Sequence, residues 1–549
     1  MRPSTHVIRT NVVNIADGTI SPAKISWKDG RIQSIEPDQA TAADGYVLPG
    51  FVDAHVHIES SMLVPSAFAQ LAVRHGTVAT VSDPHEIANV MGMEGVDFMI
   101  RNAQSVPLKC YFGAPSCVPA TTFETAGATL TPGQVRQLLE RPEIKYLSEM
   151  MNYPGVIHQD PEVMEKIQIA RDLQKPIDGH APGLRGEALR RYHAAGISTD
   201  HECFTYEEGL EKAQLGMKIL IREGSAAKNF DALIDLLPLF PEQIMFCSDD
   251  KHPDDLLRGY INELVQRAIA RGHDLFHVLR AACLNPVLHY GLEVGLLRVG
   301  DPADFIWVDD LTNFRIRATY IDGERVAQEG QSTFELPSLV PINHFACSPK
   351  APEDFACQAE GSHLRVIEAI DGEIVTRSSI VPATLQDGLA IADPGRDLLK
   401  FVVVNRYADA PPAVAFIQNF GLQEGAIAAS IGHDSHNILA VGVSDEALAQ
   451  AVNLVIAHKG GVVAVGRGEE RVLPLPVAGL MSDKNGQEVG LAYEAIDRFA
   501  KKALGCTLSA PYMTLSFMAL LVIPSCKLSD LGLFDGEKFV FTPLFVEKA

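Results

Sequence analysis

At 549 residues the chain is longer than one hydrophobic core organises, so two or three domains are expected. Its 47% hydrophobic and 21% charged residues are those of an ordinary globular protein, and a formal net charge of −23 (46 Lys+Arg against 69 Asp+Glu) speaks against nucleic acid or an anionic membrane as partner. Nine cysteines, none in a CxxC pair, exclude the pattern of a disulfide framework and point to a reduced, cytoplasmic setting.

The start, MRPSTHVIRT, lacks the apolar core of a signal peptide. From His6 to Pro37 apolar and polar residues alternate, with turn signals at Asp17-Gly18 and Asp29-Gly30, which predicts a short β-meander. The same texture returns after Gly300 in DPADFIWVDDLTNFRIRATYIDGERVAQEG. The two flanks, 1–49 and 291–335, are therefore expected to assemble one small β-sandwich beside an inserted domain at 50–290.

Within the insertion short apolar runs alternate with longer helical stretches, the signature of βα units around a parallel sheet. Eight candidate strands are present: GFVDA, TVATVS, KCYFGA, EIKYLS, PIDG, GISTD, MKILI and QIMFCS. That number, in a segment of this size, predicts a (β/α)8 TIM barrel, whose chemistry sits where the strands end. The first strand runs into His55 and His57, which share one face of an extended segment and can grip one cation. The second ends in Asp83-Pro84-His85-Glu86, the fourth in Glu149, the fifth in His180, the sixth in His201-Glu202 and the eighth in Asp249-Asp250. Each has an ordinary reading, such as Asp249 capping a helix that begins at Pro253, but jointly they would need unrelated explanations.

After the barrel, a proline-rich linker at Leu336 to Pro341 opens a carboxyl-terminal α/β (α+β) domain, 340–549, with strands such as KFVVVNRY and ILAVGV. Its chemically suggestive piece is GHDSHN, Gly432 to Asn437, which is expected to reach the rim of the active site. The apolar stretch near Met513 to Ile523 is bounded by Pro511 and Pro524 and is too short to span a bilayer.

PGFVDAHVHIES, the histidines at later strand ends, the aspartate after the eighth strand and the NPVLHYGL…GLLRVGDPADFIWVDD tail resemble the amidohydrolase superfamily. Within it, VSDPHEIANVMG, SEMMNYPGVI, IREGSAAKN, GHDSHNILAVG and PYMTLSFMALLVIP resemble the bacterial adenine deaminase family over nearly the whole chain. The resemblance implies a binuclear metal site that deaminates adenine to hypoxanthine and ammonia, with manganese or ferrous iron as first choices and zinc as a further one. It implies His55 and His57 on one ion, His180 and His201 on the other, and Asp249 against the bridging water. Glu149 stands where many relatives carry a carboxylated lysine; the nearest lysine, Lys145, lies inside the strand, so a glutamate bridge or acid/base group takes that place.

The residue types suit the chemistry, which needs a nucleophile at neutral pH and protons for a ring nitrogen and for the departing amine. Glu149 is expected to protonate N1, Asp249 to carry a proton to the leaving ammonia, and His85 to polarise or position the reacting centre. Arg222 and Ser225, after the seventh strand, are expected at the purine edge. The PCxxC zinc motif of the base-editing deaminases is absent from the sequence. The expected partners are adenine and a second copy of the chain in a homodimer. Two readings stay open beside this one: a related hydrolase for another nucleobase or cyclic amide, and a barrel that kept the fold without the chemistry.

Overall fold

The meander forms as its turns predict: β1 (His6–Asn14), β2 (Thr19–Lys28) and β3 (Arg31–Pro37) pair antiparallel in order, and β4 (Tyr46–Pro49) lies parallel to β1. These positions come from a computed structural model, which describes residues 5–38 and 44–547. At Gly50 the chain leaves this sheet for the inserted domain. A Cβ there would stand 2.2 Å from Val78 Cγ1, so only glycine lets the crossing pack.

The eight expected strands are all present: β5 (Phe51–Val56), β6 (Thr77–Ser82), β7 (Lys109–Ala114), β8 (Ile144–Met150), β9 (Ile177–Gly179), β10 (Thr199–Asp200), β11 (Lys218–Arg222) and β12 (Ile244–Cys247). β6, a β-branched run, is buried at every residue, as a strand covered on both faces must be. β5 to β9 pair in parallel in chain order, and so do β10 to β12. Across one seam Ser198 N donates to Ile177 O at 2.9 Å. Across the other, Val56 bridges Asp249 in parallel register, and Asp249 N donates to His55 O at 2.9 Å. Asp53, buried in β5, reinforces this second seam by accepting from Ser248 N at 3.1 Å and from the Ser248 and Tyr260 hydroxyls. Backbone and side-chain bonds thus carry the circuit from the first strand to the eighth in a (β/α)8 barrel.

The chain then returns to the first sheet. β13 (Phe305–Val308) pairs antiparallel with β4, and β14 (Ile316–Ile321), β15 (Glu324–Gln328) and β16 (Gln331–Ser332) follow. The flanks therefore meet in one hydrogen-bonded sheet of eight strands, with its own apolar core that includes Ile25, Trp27, Val47 and Phe305. Thr319 ties that sheet to the barrel, its hydroxyl donating to Val73 O at 2.7 Å.

The carboxyl-terminal region is built on a nine-stranded sheet whose middle strands are Leu399–Val404, Ile438–Gly442, Ala426–Ala429 and Gly461–Gly466. Alternate residues serve alternate faces. Val402 and Val404 pack under the helix Asp445–Ala457, whereas Phe401 and Val403 join the core that continues into the barrel. The loop after β7 is gripped by this region: Thr125 N donates to Asp530 Oδ1 at 2.9 Å, and Asn437 Nδ2 to Thr125 O at 2.9 Å. Among the described residues no helix is long and apolar enough to cross a membrane.

Candidate metal centre and active site

His55 and His57 sit at the end of β5, fully buried, with their Nε2 atoms 3.2 Å apart. Asp249 reaches the same point from the end of β12, its Oδ1 lying 3.6 Å from His55 Nε2 and 3.3 Å from His57 Nε2. Asp249 is held in the left-handed region at φ +57° by its bonds to His55 O and His57 N, a conformation that aspartate tolerates better than most residues. Glu149, from β8, stands at the centre of four imidazoles. Its Oε1 lies 3.4 Å from His57 Nε2 and 3.5 Å from His85 Nδ1, and its Oε2 lies 2.7 Å from His180 Nδ1 and 3.1 Å from His201 Nε2. All six residues predicted to hold metal are therefore in one cluster.

The second layer is as specific. Tyr192 orients His180, its hydroxyl accepting from His180 N at 3.0 Å and donating to Met150 O at 2.9 Å. Arg222 forks onto Glu202, with bonds of 2.5 and 2.8 Å, and also contacts Asp249 Oδ2. Arg222 thus faces the cavity as expected, but with its guanidinium engaged by two carboxylates. Ser225 is not brought to the cavity: its hydroxyl donates to Asp255 at 2.6 Å and accepts from His252 N at 2.8 Å, which holds the loop together.

Charge explains the titration of the cluster. Burial opposes ionisation of Glu149, yet His180 and His201 hold it well below the usual carboxylate range. Burial likewise opposes Asp249, and Arg222 with His55 and His57 holds it well below that range. His55 is lowered to about 4 by burial and the neighbouring His201, so its imidazole is neutral at pH 7. His57 and His201 go the other way: burial works against their charge, but Asp249 for the first and Glu149 with Glu202 for the second raise them well above the ordinary value. This is an ionised, acid-rich site in which protons supply positive charge that a cation would supply instead.

The donor set fits divalent metal. Two nitrogens bound to one ion at about 2.0–2.1 Å stand roughly 3.0–3.4 Å apart, which matches the His55–His57 separation. His180 Nε2 is buried and lacks a hydrogen-bond partner, a condition that a bound cation would relieve. Overlapping groups of donor atoms, His55/His57/Asp249, His55/Glu149/His201 and His180/His201/Glu202 among them, lie close enough to share an ion.

The carboxyl-terminal region forms the opposite wall. His433, Asp434, Ile374, Phe517 and Leu520 line the cavity with the barrel residues. Glu86 joins the two halves: its Oε1 lies 2.6 Å from His433 Nδ1, and its Oε2 contacts His436 Nε2. His85 spans them as well, its Nε2 3.4 Å from Glu86 Oε1 and 3.9 Å from Asp434 Oδ1. GHDSHN reaches the site as expected. Asp83, Glu86 and Glu202 lie at the predicted strand ends and Asp434 within GHDSHN, but the sequence gives none of the four an individual role.

Lys527 supports that wall from behind. Fully buried, it donates to Ile374 O at 2.7 Å and Phe517 O at 2.9 Å, and burial lowers its pKa from 10.5 to about 7. Between roughly pH 7 and 10.5 the unfolded chain binds this proton more tightly than the folded one, so the lysine makes stability rise with pH across that window. A Lys527→Met variant is expected to lose that rise. Chemical denaturation at pH 7 and pH 9.5 should show the native protein gaining about 1–4 kcal/mol relative to the variant.

The amidohydrolase family pattern matches residues 46–326, and the adenine deaminase carboxyl-terminal domain pattern matches residues 373–540. The barrel with its cluster is thus that of an amidohydrolase. The chain is 58% identical over 97% of its length to an adenine deaminase of Sulfurovum sp. (98% of that protein covered). It is 54% identical over 99% of its length to one of Salinibacter ruber (100% covered), and 53% identical over 95% to one of Methanosarcina barkeri (96% covered). The chain belongs to the adenine deaminase family.

Proposed function

We propose that the protein catalyses the hydrolytic deamination of adenine to hypoxanthine and ammonia. The observation that carries the reading is the convergence of four histidines on Glu149 and Asp249 under a wall from an adenine-deaminase-type domain. His55 and His57 with Asp249 would hold one ion and His180 with His201 the other, with Glu149 as a further ligand; the family resemblance implies manganese or ferrous iron, with zinc as a further option. Divalent metal bound there lowers the pKa of water from 15.7 to about 7 and so makes hydroxide available at neutral pH.

The protein groups handle the protons. Addition of water to C6 breaks ring conjugation, and Glu149, ionised at rest beside His180 and His201, would take one proton of the attacking water and pass it to N1. Asp249, kept ionised by Arg222, would take the remaining proton from the hydroxyl now on C6 and pass it to the amine nitrogen, so that the C6–N bond breaks, ammonia leaves and the C6 carbonyl of hypoxanthine forms. His85, braced between Asp83, Glu86 and Glu149, positions the reacting centre. Arg222 orients Asp249 and Glu202 while its edge meets the cavity. Ser225 would contact the purine only if its loop were rearranged, since its hydroxyl is already bonded on both sides.

The division into 1–49, 50–290, 291–335 and 340–549 belongs to the same reading, with Gly50 as the first junction. A homodimer is supported by the exposed apolar residues Leu531, Phe539, Val540 and Phe541, and a cytoplasmic location by nine cysteines, all free.

The test is ammonia release from adenine by protein reconstituted with manganese, beside metal-free protein and a His55→Ala variant. Turnover is expected only with metal and with His55 intact. Bound metal without any adenine turnover would send the search to other nucleobases and cyclic amides.

A further inference from the structure

On the reading that adenine is the substrate, we propose that Asp434, from the carboxyl-terminal region, accepts the imidazole N–H of the free purine and so selects the base over its N9-substituted nucleosides. The cavity has two unlike halves. On the barrel side Glu149 is surrounded by imidazoles, Glu202 is forked by Arg222, and Asp249 is contacted by Arg222 and two histidines. Glu86 has His433 and His436, and Asp250 accepts from the Ser60 hydroxyl at 2.5 Å. On the opposite side the lining is apolar, with Ile374, Phe517 and Leu520, and Asp434 is its carboxylate.

Asp434 is only 2% exposed, and its Oδ2 is buried without a hydrogen-bond partner. The nearest cationic groups to its Oδ1, His85 Nε2 and His433 Nδ1, are each 3.9 Å away, beyond hydrogen-bonding distance. A buried carboxylate in that condition costs free energy that an arriving N–H donor recovers. Its placement suits such a donor. Glu149 and Asp434 stand against opposite nitrogens of the same ring, His85, at 3.5 and 3.9 Å. A purine with C6 at the Glu149 end extends its five-membered ring towards Asp434. That ring carries one N–H, at N7 or N9 according to tautomer. His433 stacks on Phe517, with ring centroids 4.8 Å apart and planes 17° from parallel, and offers the flat wall that a planar base needs. A ribose on N9 leaves the five-membered ring without any N–H, since N7 is then an acceptor only, and brings bulk against the same wall.

The test compares metal-loaded native protein with Asp434→Ala and Asp434→Asn, using adenine turnover and competitive inhibition by hypoxanthine and 9-methylhypoxanthine. Loss of a hydrogen bond to a charged acceptor is expected to raise KM for adenine about 10–100-fold in Asp434→Ala, with kcat within about threefold. The native preference for hypoxanthine over its 9-methyl derivative should be at least about tenfold and should collapse in the alanine variant. A role exerted through His85 would lower kcat and leave that preference intact, which would overturn the proposal. Equal inhibition of the native protein by the two compounds would overturn it without recourse to any variant. Absence of adenine turnover by the native, metal-loaded protein is the separate result that overturns the functional reading on which the proposal rests.

Discussion

Asp249→Asn, assayed under saturating manganese so that its metal content matches the native protein's, is expected to lose kcat by about 10²–10⁴-fold, the range that a positioned proton carrier contributes. Asparagine keeps the shape and, with its one oxygen turned towards His55 and His57, presents its amide N–H₂ to Arg222, which keeps its fork to Glu202. What it lacks is a basic oxygen. The native carboxylate is held well below the ordinary range by Arg222 and the histidines despite its burial, so it is ionised and ready to receive a proton throughout the neutral range. The acid limb of the native pH–rate profile should therefore not come from Asp249. Metal content by elemental analysis and turnover by ammonia release separate the two roles: near-native kcat with metal bound would remove Asp249 from the proton path.

The sequence was most legible where physical constraints are local. A β-branched run such as TVATVS covered on both faces, and an HxH at the end of an apolar segment, fix a strand and two convergent imidazoles with little help from the rest of the chain. Strand ends proved informative for a related reason: the barrel gathers them at one mouth, so Glu149, His180, His201 and Asp249 meet although they are distant in sequence. What stayed hidden depended on tertiary pairing. Nothing local distinguishes Ser225, which latches a loop, from a residue that faces substrate, because the difference lies in Asp255 and His252 on the next segment. Asp53 reads as one more polar residue beside the histidines, yet it ties the first strand to the eighth. Glu86 acquires its meaning only when the carboxyl-terminal region brings His433 and His436 to it.

Glu149→Gln is expected to be the more damaging change, costing both metal and turnover. The native carboxylate is the group that all four surrounding rings share: His57 and His85 on one oxygen, His180 and His201 on the other. Glutamine preserves volume but removes the charge and turns an amide N–H₂ towards one of those pairs, where an acceptor is needed. Two effects then act together. Cations lose the anionic oxygen placed between the histidine pairs, so metal per chain should fall by about half or more after dialysis. N1 loses its proton donor, so turnover should fall by at least about 10²–10⁴-fold even under saturating manganese. Excess metal distinguishes the contributions, because it restores occupancy without restoring the proton. If Glu149→Gln held its full complement of metal and regained native turnover, Glu149 would be neither shared ligand nor acid, and both tasks would pass to Glu202, whose Oε1 lies 3.4 Å from His201 Nε2 and 3.6 Å from His180 Nδ1.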